Sequence, residues 1–173
     1  ELLLLKQGVN QSAESVERTM LGLTEVMKAI TGGDFRFRLD GIEMEGEFRQ
    51  VLEQAMESMD AIVTDINHVM DAVAKGKFDV RVTTVAQGDL DLLKNNLNRS
   101  LNTLGEGLKE AIRVSNQMGE GDLTQSVTGD YRGSLAVLKD SINATQANFT
   151  QIVSKVRSAS ERVRKGSEEI SRG

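Results

Sequence analysis

The chain has 173 residues, no proline, no cysteine and no tryptophan, 3 % aromatic residues and a formal net charge of -5. Without cysteine there is no disulfide framework, thiolate zinc site or cysteine nucleophile, and a single histidine, His68, excludes a multi-histidine metal centre. The acidic balance lacks the basic face that nucleic acid requires, and the longest apolar run, Leu2 to Leu5, falls far short of the roughly 18 residues that span a bilayer.

At 39 % hydrophobic and 27 % charged residues the composition is that of a folded chain, and without proline nothing vetoes long helices. The first residues already follow a helical pattern, with no initiator Met, as expected of a piece of something longer. A narrow stripe of Met20, Leu23, Met27 and Ile30 predicts a first helix from the N-terminus to about Thr31. Gly33 stops it by a left-handed C-terminal cap. The period then changes to two: Phe35, Phe37 and Leu39 alternate with Arg36 and Arg38.

From Phe48 a second helical stripe runs through Leu52, Ala55, Met59, Ile62, Ile66, Val69 and Val73 without a breaker. Gly76 ends it, and Phe78, Val80 and Val82 repeat the alternation. A third stripe runs from Leu90 through Leu93, Leu97, Leu101, Leu104, Leu108, Ala111 and Ser115 to Met118, then stops at Gly121. Leu123 and Val127 follow with Gln125 between them. The last stripe takes Leu135, Leu138, Ile142, Thr145, Phe149, Ile152, Val156, Ala159 and Val163, and later Ile170.

These elements are one unit written three times. The windows Val26 to Leu39, Val69 to Val82 and Val114 to Val127 align, with anchor glycines separated by 43 and 45 residues. An isolated short strand in each repeat has no sheet to join, so the period-two segments read as extended connectors that pin alternate side chains to an apolar surface. A connector of ~14 extended residues reaches ~45 Å, more than the ~24 Å of a helix of about 16 residues. It can carry the chain back alongside the helix it leaves, so the two helices of each repeat are predicted to be parallel. Two helices with narrow seams cannot bury both seams alone. The predicted fold is all-α: consecutive parallel four-helix coiled-coil bundles formed by a homodimer, with extended connectors in the outer grooves.

A helix, then Gly-(Asp or Lys)-(Phe or Leu), an alternately apolar connector and a second helix resemble the HAMP domain of bacterial sensor kinases and chemoreceptors. Gly119-Glu120-Gly121-Asp122-Leu123-Thr124, Leu138-Lys139-Asp140-Ser141-Ile142-Asn143 and Gly166-Ser167-Glu168-Glu169-Ile170-Ser171 look like a methyl-accepting chemotaxis protein approaching its kinase-control hairpin. The sequence departs from the family in lacking its usual early proline, and of the glutamates that open the second helix only Glu47 is present, so all three units look internally chained. Glu168-Glu169 does not meet the receptor methylation pattern.

The expected organisation is an incoming helix (1–15), three HAMP units (16–62, 63–107 and 108–154) and an outgoing helix (155–173). The resemblance implies a non-enzymatic relay without cofactor or metal, in a cytoplasmic segment of an inner-membrane receptor. It would pass conformational changes from an N-terminal sensor to a C-terminal kinase-control domain, and indirectly to a CheA-type kinase and a CheW-type adaptor. A relay segment of a sensor histidine kinase and a static coiled-coil spacer are the alternatives. Glycine breaks and connectors every 43 to 45 residues argue against the spacer, because an uninterrupted heptad makes a simpler rod. The link into the third unit, with a 4,4 step at Leu93, Leu97 and Leu101 and with Gly105 and Gly107, is expected to be the softer one.

Other signals are weak. Four glycosylation sequons fit chance, the acidic stretch from Asp34 to Asp40 lacks the closing Glu of a calcium loop, and the basic cluster at Arg157, Arg162, Arg164 and Lys165 reads as a solvated helix face. No nucleophile, base and oxyanion constellation is apparent.

Overall fold

The structure, a computed structural model, describes residues 1–42, 44 and 47–172. Four helices account for most of it: α1 (Leu2–Thr31), α2 (Glu47–Ala74), α3 (Gly88–Gly119) and α4 (Ser134–Arg172). Among the described residues there is no strand, and the alternating segments are extended connectors, as the absence of any partner strand requires. The chain divides into two compact units, Glu1–Asn98 and Arg99–Gly173. The first holds connector 1 (32–46) and connector 2 (75–87), and the second holds connector 3 (120–133).

Each predicted helix stop is a two-bond cap. In the first, the Gly33 N–H donates to Ile30 O (3.0 Å) and the Asp34 N–H to Ala29 O (2.8 Å). Gly76 to Val73 with Lys77 to Ala72, and Gly121 to Met118 with Asp122 to Gln117, repeat that geometry at 2.9 to 3.1 Å. The pattern reverses the chain only if the capping residue has positive φ, and the three glycines have φ of 73°, 77° and 91°. An L side chain is strained there.

The side-chain bonds to connectors 2 and 3 show how the chain runs. Following connector 2 backwards from Thr84 to Val82, the partners advance from Lys94 to Asn98 along α3. Asp65 of α2 meets the connector at Thr84, and Ala72, a helical turn or two later, caps at Lys77. In connector 3 the partners advance from Lys139 through Asn143 to Gln146 as the connector is traced from Gly129 to Leu123, and α3 advances from Glu110 to Gln117. In both cases the helices run the same way and the connector returns between them.

The first unit has a local core of Val26, Leu39, Met44 and Met56, with Ala29, Phe37, Ile42 and Leu52 packed around it. Ile62 and Val69 of α2 and Val114 of α3 are also shielded from solvent almost completely. Each such side chain contributes roughly 1.5–3 kcal/mol relative to full exposure. The last apolar residue of each alternation, Leu39, Val82 and Val127, is buried to 2 or 3 % exposure.

Candidate functional site

An extended connector outside a sheet leaves its backbone N–H and C=O groups without ladder partners, so side chains must supply them. In connector 2 the supply comes from both flanking helices. Asp65 Oδ2 accepts from the Thr83 N–H, the Thr84 N–H and Thr84 Oγ1, each at 2.8 Å. Asn98 answers from α3: its Oδ1 accepts the Val82 N–H and its Nδ2 donates to Val82 O, both at 2.9 Å. Lys94 Nζ donates to Thr84 O (3.3 Å), and Arg81 turns back to donate to Phe78 O and Val80 O (2.6 and 2.8 Å).

Connector 3 is clamped in the same way. Glu110 accepts the Thr128 N–H (2.8 Å), Thr128 Oγ1 (3.0 Å), the Gly129 N–H (3.2 Å) and the Tyr131 hydroxyl (2.7 Å). Asn143 pairs with both backbone groups of Val127 at 2.9 and 3.0 Å, Lys139 donates to Thr128 O and Gly129 O, and Gln146 donates to Leu123 O. The bonds govern the titration of these groups. The Thr84 backbone bond, foremost, holds the Asp65 carboxyl below its usual range. The Thr128 backbone bond and then the Tyr131 hydroxyl bring Glu110 down to about 2, while the bond to Glu110 pushes the Tyr131 phenol up to about 12.

Connector 1 is held differently. Gly22 stands one repeat before Asp65, and a Cβ there would collide with Met44 Cε and come within 2.9 Å of Ile42 Cγ2. Apolar contact replaces the carboxylate. The polar support comes from arginines: Arg38 Nη1 donates to Phe35 O and Phe37 O at 3.0 Å, its Nη2 reaches Asp60 Oδ2 at 2.7 Å, and Arg49 donates to Leu39 O and Ile42 O.

The residues expected to anchor the connectors fall in two groups. Leu39, Val82 and Val127 are buried, whereas Phe35, Phe37, Phe78, Val80 and Leu123 are half-buried. The expected bundle seam is incompletely covered within one chain. Leu23, Ile30, Leu52, Met59, Ile66, Val73, Leu90, Leu97, Leu108, Met118, Leu135 and Ile142 are half-buried, and Met20, Met27, Phe48, Leu138 and Phe149 are exposed. On α1 the contrast is one position wide: Val26, facing the connector, is 0 % exposed and the adjacent Met27 is 49 % exposed. In the second unit Ser115, Met118, Ile142, Thr145 and Phe149 line an open groove of about 410 Å³ between α3 and α4.

The clamp residues Asp65, Glu110, Asn98, Asn143 and Tyr131 do not stand out in an apolar periodicity. A signal was nevertheless present: Lys94 and Asn98 recur as Lys139 and Asn143, and Thr83 as Thr128, each 45 residues later, the spacing of the second and third anchor glycines.

Among the described residues no helix is long and apolar enough to cross a membrane, and no cluster of three or more potential ligands could hold a metal ion. No solved structure matches the chain. The chain is similar to the methyl-accepting chemotaxis protein McpB of Pseudomonas aeruginosa, with 28 % identity over 151 residues, 83 % of this chain and 22 % of that protein. It thus spans about a fifth of that relative's length. The model of the HAMP domain family matches residues 43–106 and 97–151. The first stretch contains the Gly76 cap with the Asp65 and Asn98 clamp, the second the Gly121 cap with the Glu110 and Asn143 clamp, and on these two matches in tandem the chain belongs to the HAMP domain family.

Proposed function

We propose that this chain is the signal-relay segment of a chemoreceptor-type transducer, a parallel homodimer in which three HAMP units (16–62, 63–107 and 108–154) pass a conformational change from an incoming helix (1–15) to an outgoing one (155–173). The observation that carries this reading is the incomplete seam. Connectors are clamped to both neighbouring helices, while the seam residues Met20 and Met27 of α1 and Phe149 of α4 have 49 to 59 % of their surface exposed in a single chain. A second copy aligned in parallel would cover those faces and the groove at Ser115, Met118 and Phe149. A two-state bundle of this kind needs no active site: it changes the relative populations of two packings that differ by a few kcal/mol.

The similarity to a methyl-accepting chemotaxis protein supports an output directed at a kinase-control domain, and through it at a CheA-type kinase with a CheW-type adaptor. The segment would then lie on the cytoplasmic side of an inner-membrane receptor. Cysteine crosslinking tests the arrangement. Ile66→Cys is expected to bond to its own copy readily and Asp71→Cys poorly, and equal rates would sink the seam. Seam substitutions within one unit should alter kinase output without abolishing dimerisation; an unchanged output favours the static spacer.

A further inference from the structure

Tyr131 is the single tyrosine of the chain, and it stands three residues before the start of α4. Its hydroxyl donates to Glu110 Oε2 at 2.7 Å. Its ring lies so close to two glycines that a Cβ on Gly107 would meet Tyr131 Cε1 at 3.2 Å and one on Gly129 would collide with Tyr131 Cζ and Cε2. Gly107 and Glu110 share one face of α3, three residues apart. One repeat earlier the chain has Ala86 in connector 2, which has no polar side-chain group. The bond from α3 to this step of the chain therefore has no counterpart in connector 2.

This bond is selective in geometry. An O–H to carboxylate bond is charge-assisted, and it loses most of its strength when stretched by much less than the width of a side chain. The Thr128 and Gly129 bonds hold the same carboxylate in place, so Glu110 cannot simply follow a displaced hydroxyl. A small rotation or slide of α3 against the start of α4 must break the contact.

We propose that Glu110 and Tyr131 form a latch that holds the third unit in one of its two helix arrangements, and that a conformational change passing through this unit has to release it. The latch rests on the relay reading above. It predicts that either partner's removal biases the unit in the same direction, because both removals undo the same bond.

The chain reports on the latch without a label, since it has one tyrosine and no tryptophan. In the 173-residue chain, phenolate absorbance should show Tyr131 titrating near 12, and Glu110→Gln should return it towards ~10. A wild-type tyrosine that titrates near ~10 overturns the latch. In the complete transducer, Tyr131→Phe and Glu110→Gln should shift kinase output the same way, with the double variant no further than Glu110→Gln alone, since Glu110 also holds Thr128 and Gly129. Output unchanged in both, or shifted in opposite directions, overturns the latch. Ile142→Ala in the seam separates the two readings: if it changes output while the latch variants do not, the relay stands and the latch fails. If none of the three changes output, both fail.

Discussion

Asn98 closes a two-bond ring on Val82, accepting its N–H and donating to its C=O, both at 2.9 Å. One amide side chain thus provides what a neighbouring strand would have provided, and Asn143 does so for Val127. Both valines are nearly inaccessible to water, at 2 and 3 % exposure. Asn98→Ala should therefore leave two backbone groups unsatisfied and cost about 1–3 kcal/mol. Asn98→Asp should recover only part of that, because a carboxylate accepts but cannot donate. Urea denaturation of both variants checks the ranking; an Asp variant as stable as wild type would refute the two-bond account.

The Glu110 carboxyl has an ordinary value of 4.5, lowered to about 2 in the folded chain by the Thr128 and Tyr131 bonds. A depressed folded value means that the unfolded chain binds the proton first. The carboxylate's contribution is thus complete above pH 4.5 and is lost as pH falls towards 2. Asp65 acts with the same sign through its Thr84 and Thr83 bonds. Glu110→Gln should lower the urea midpoint at neutral pH and flatten its decline on acidification. A variant with the wild-type slope between pH 5 and pH 3 would show that Glu110 carries none of the acid sensitivity.

Gly76 caps α2 at φ 77°, with open space where a Cβ would stand. The obstacle to a side chain is therefore conformational and not steric crowding by neighbours. Gly76→Ala should cost about 1–2 kcal/mol. Gly166 also has open space around it, but it lies inside α4 without positive φ. There Ala should stabilise by up to about 1 kcal/mol. Opposite shifts in melting temperature are expected, and shifts of the same sign would contradict the assignment.

Two glycines, Gly105 and Gly107, lie in α3 shortly after the boundary between Asn98 and Arg99. Each lowers helix propensity by ~1 kcal/mol relative to Ala. Gly107 has a packing reason, since a Cβ would press on Tyr131 and on both Leu135 methyls at 3.2 to 3.3 Å. Gly107→Ala should therefore raise helix propensity and still lower stability. Amide exchange should be at least tenfold faster over residues 100–110 than over residues 55–66, on the ordinary scale of local opening. Equal protection of the two stretches would reject the softer link.

The sequence by itself determined the all-α class, the helix ends at Gly33, Gly76 and Gly121, and the return of connectors 2 and 3 alongside the helices they leave. Those features depend on local properties: a 3,4 apolar stripe, a residue that tolerates positive φ, and a chain length long enough to turn back. Even the polar partners left a trace, in Lys94 and Asn98 returning as Lys139 and Asn143. Tertiary structure alone decided what that trace meant. Whether Asp65 or Glu110 meets a backbone N–H depends on the register of a helix against a segment 18 to 21 residues further on, to within an ångström. It also separated Val26 from Met27, neighbours of similar apolar character, one packed under a connector and the other left open. Periodicity says that a side chain belongs on an apolar face, but only the helix's rotation against its own connector says which surface covers it.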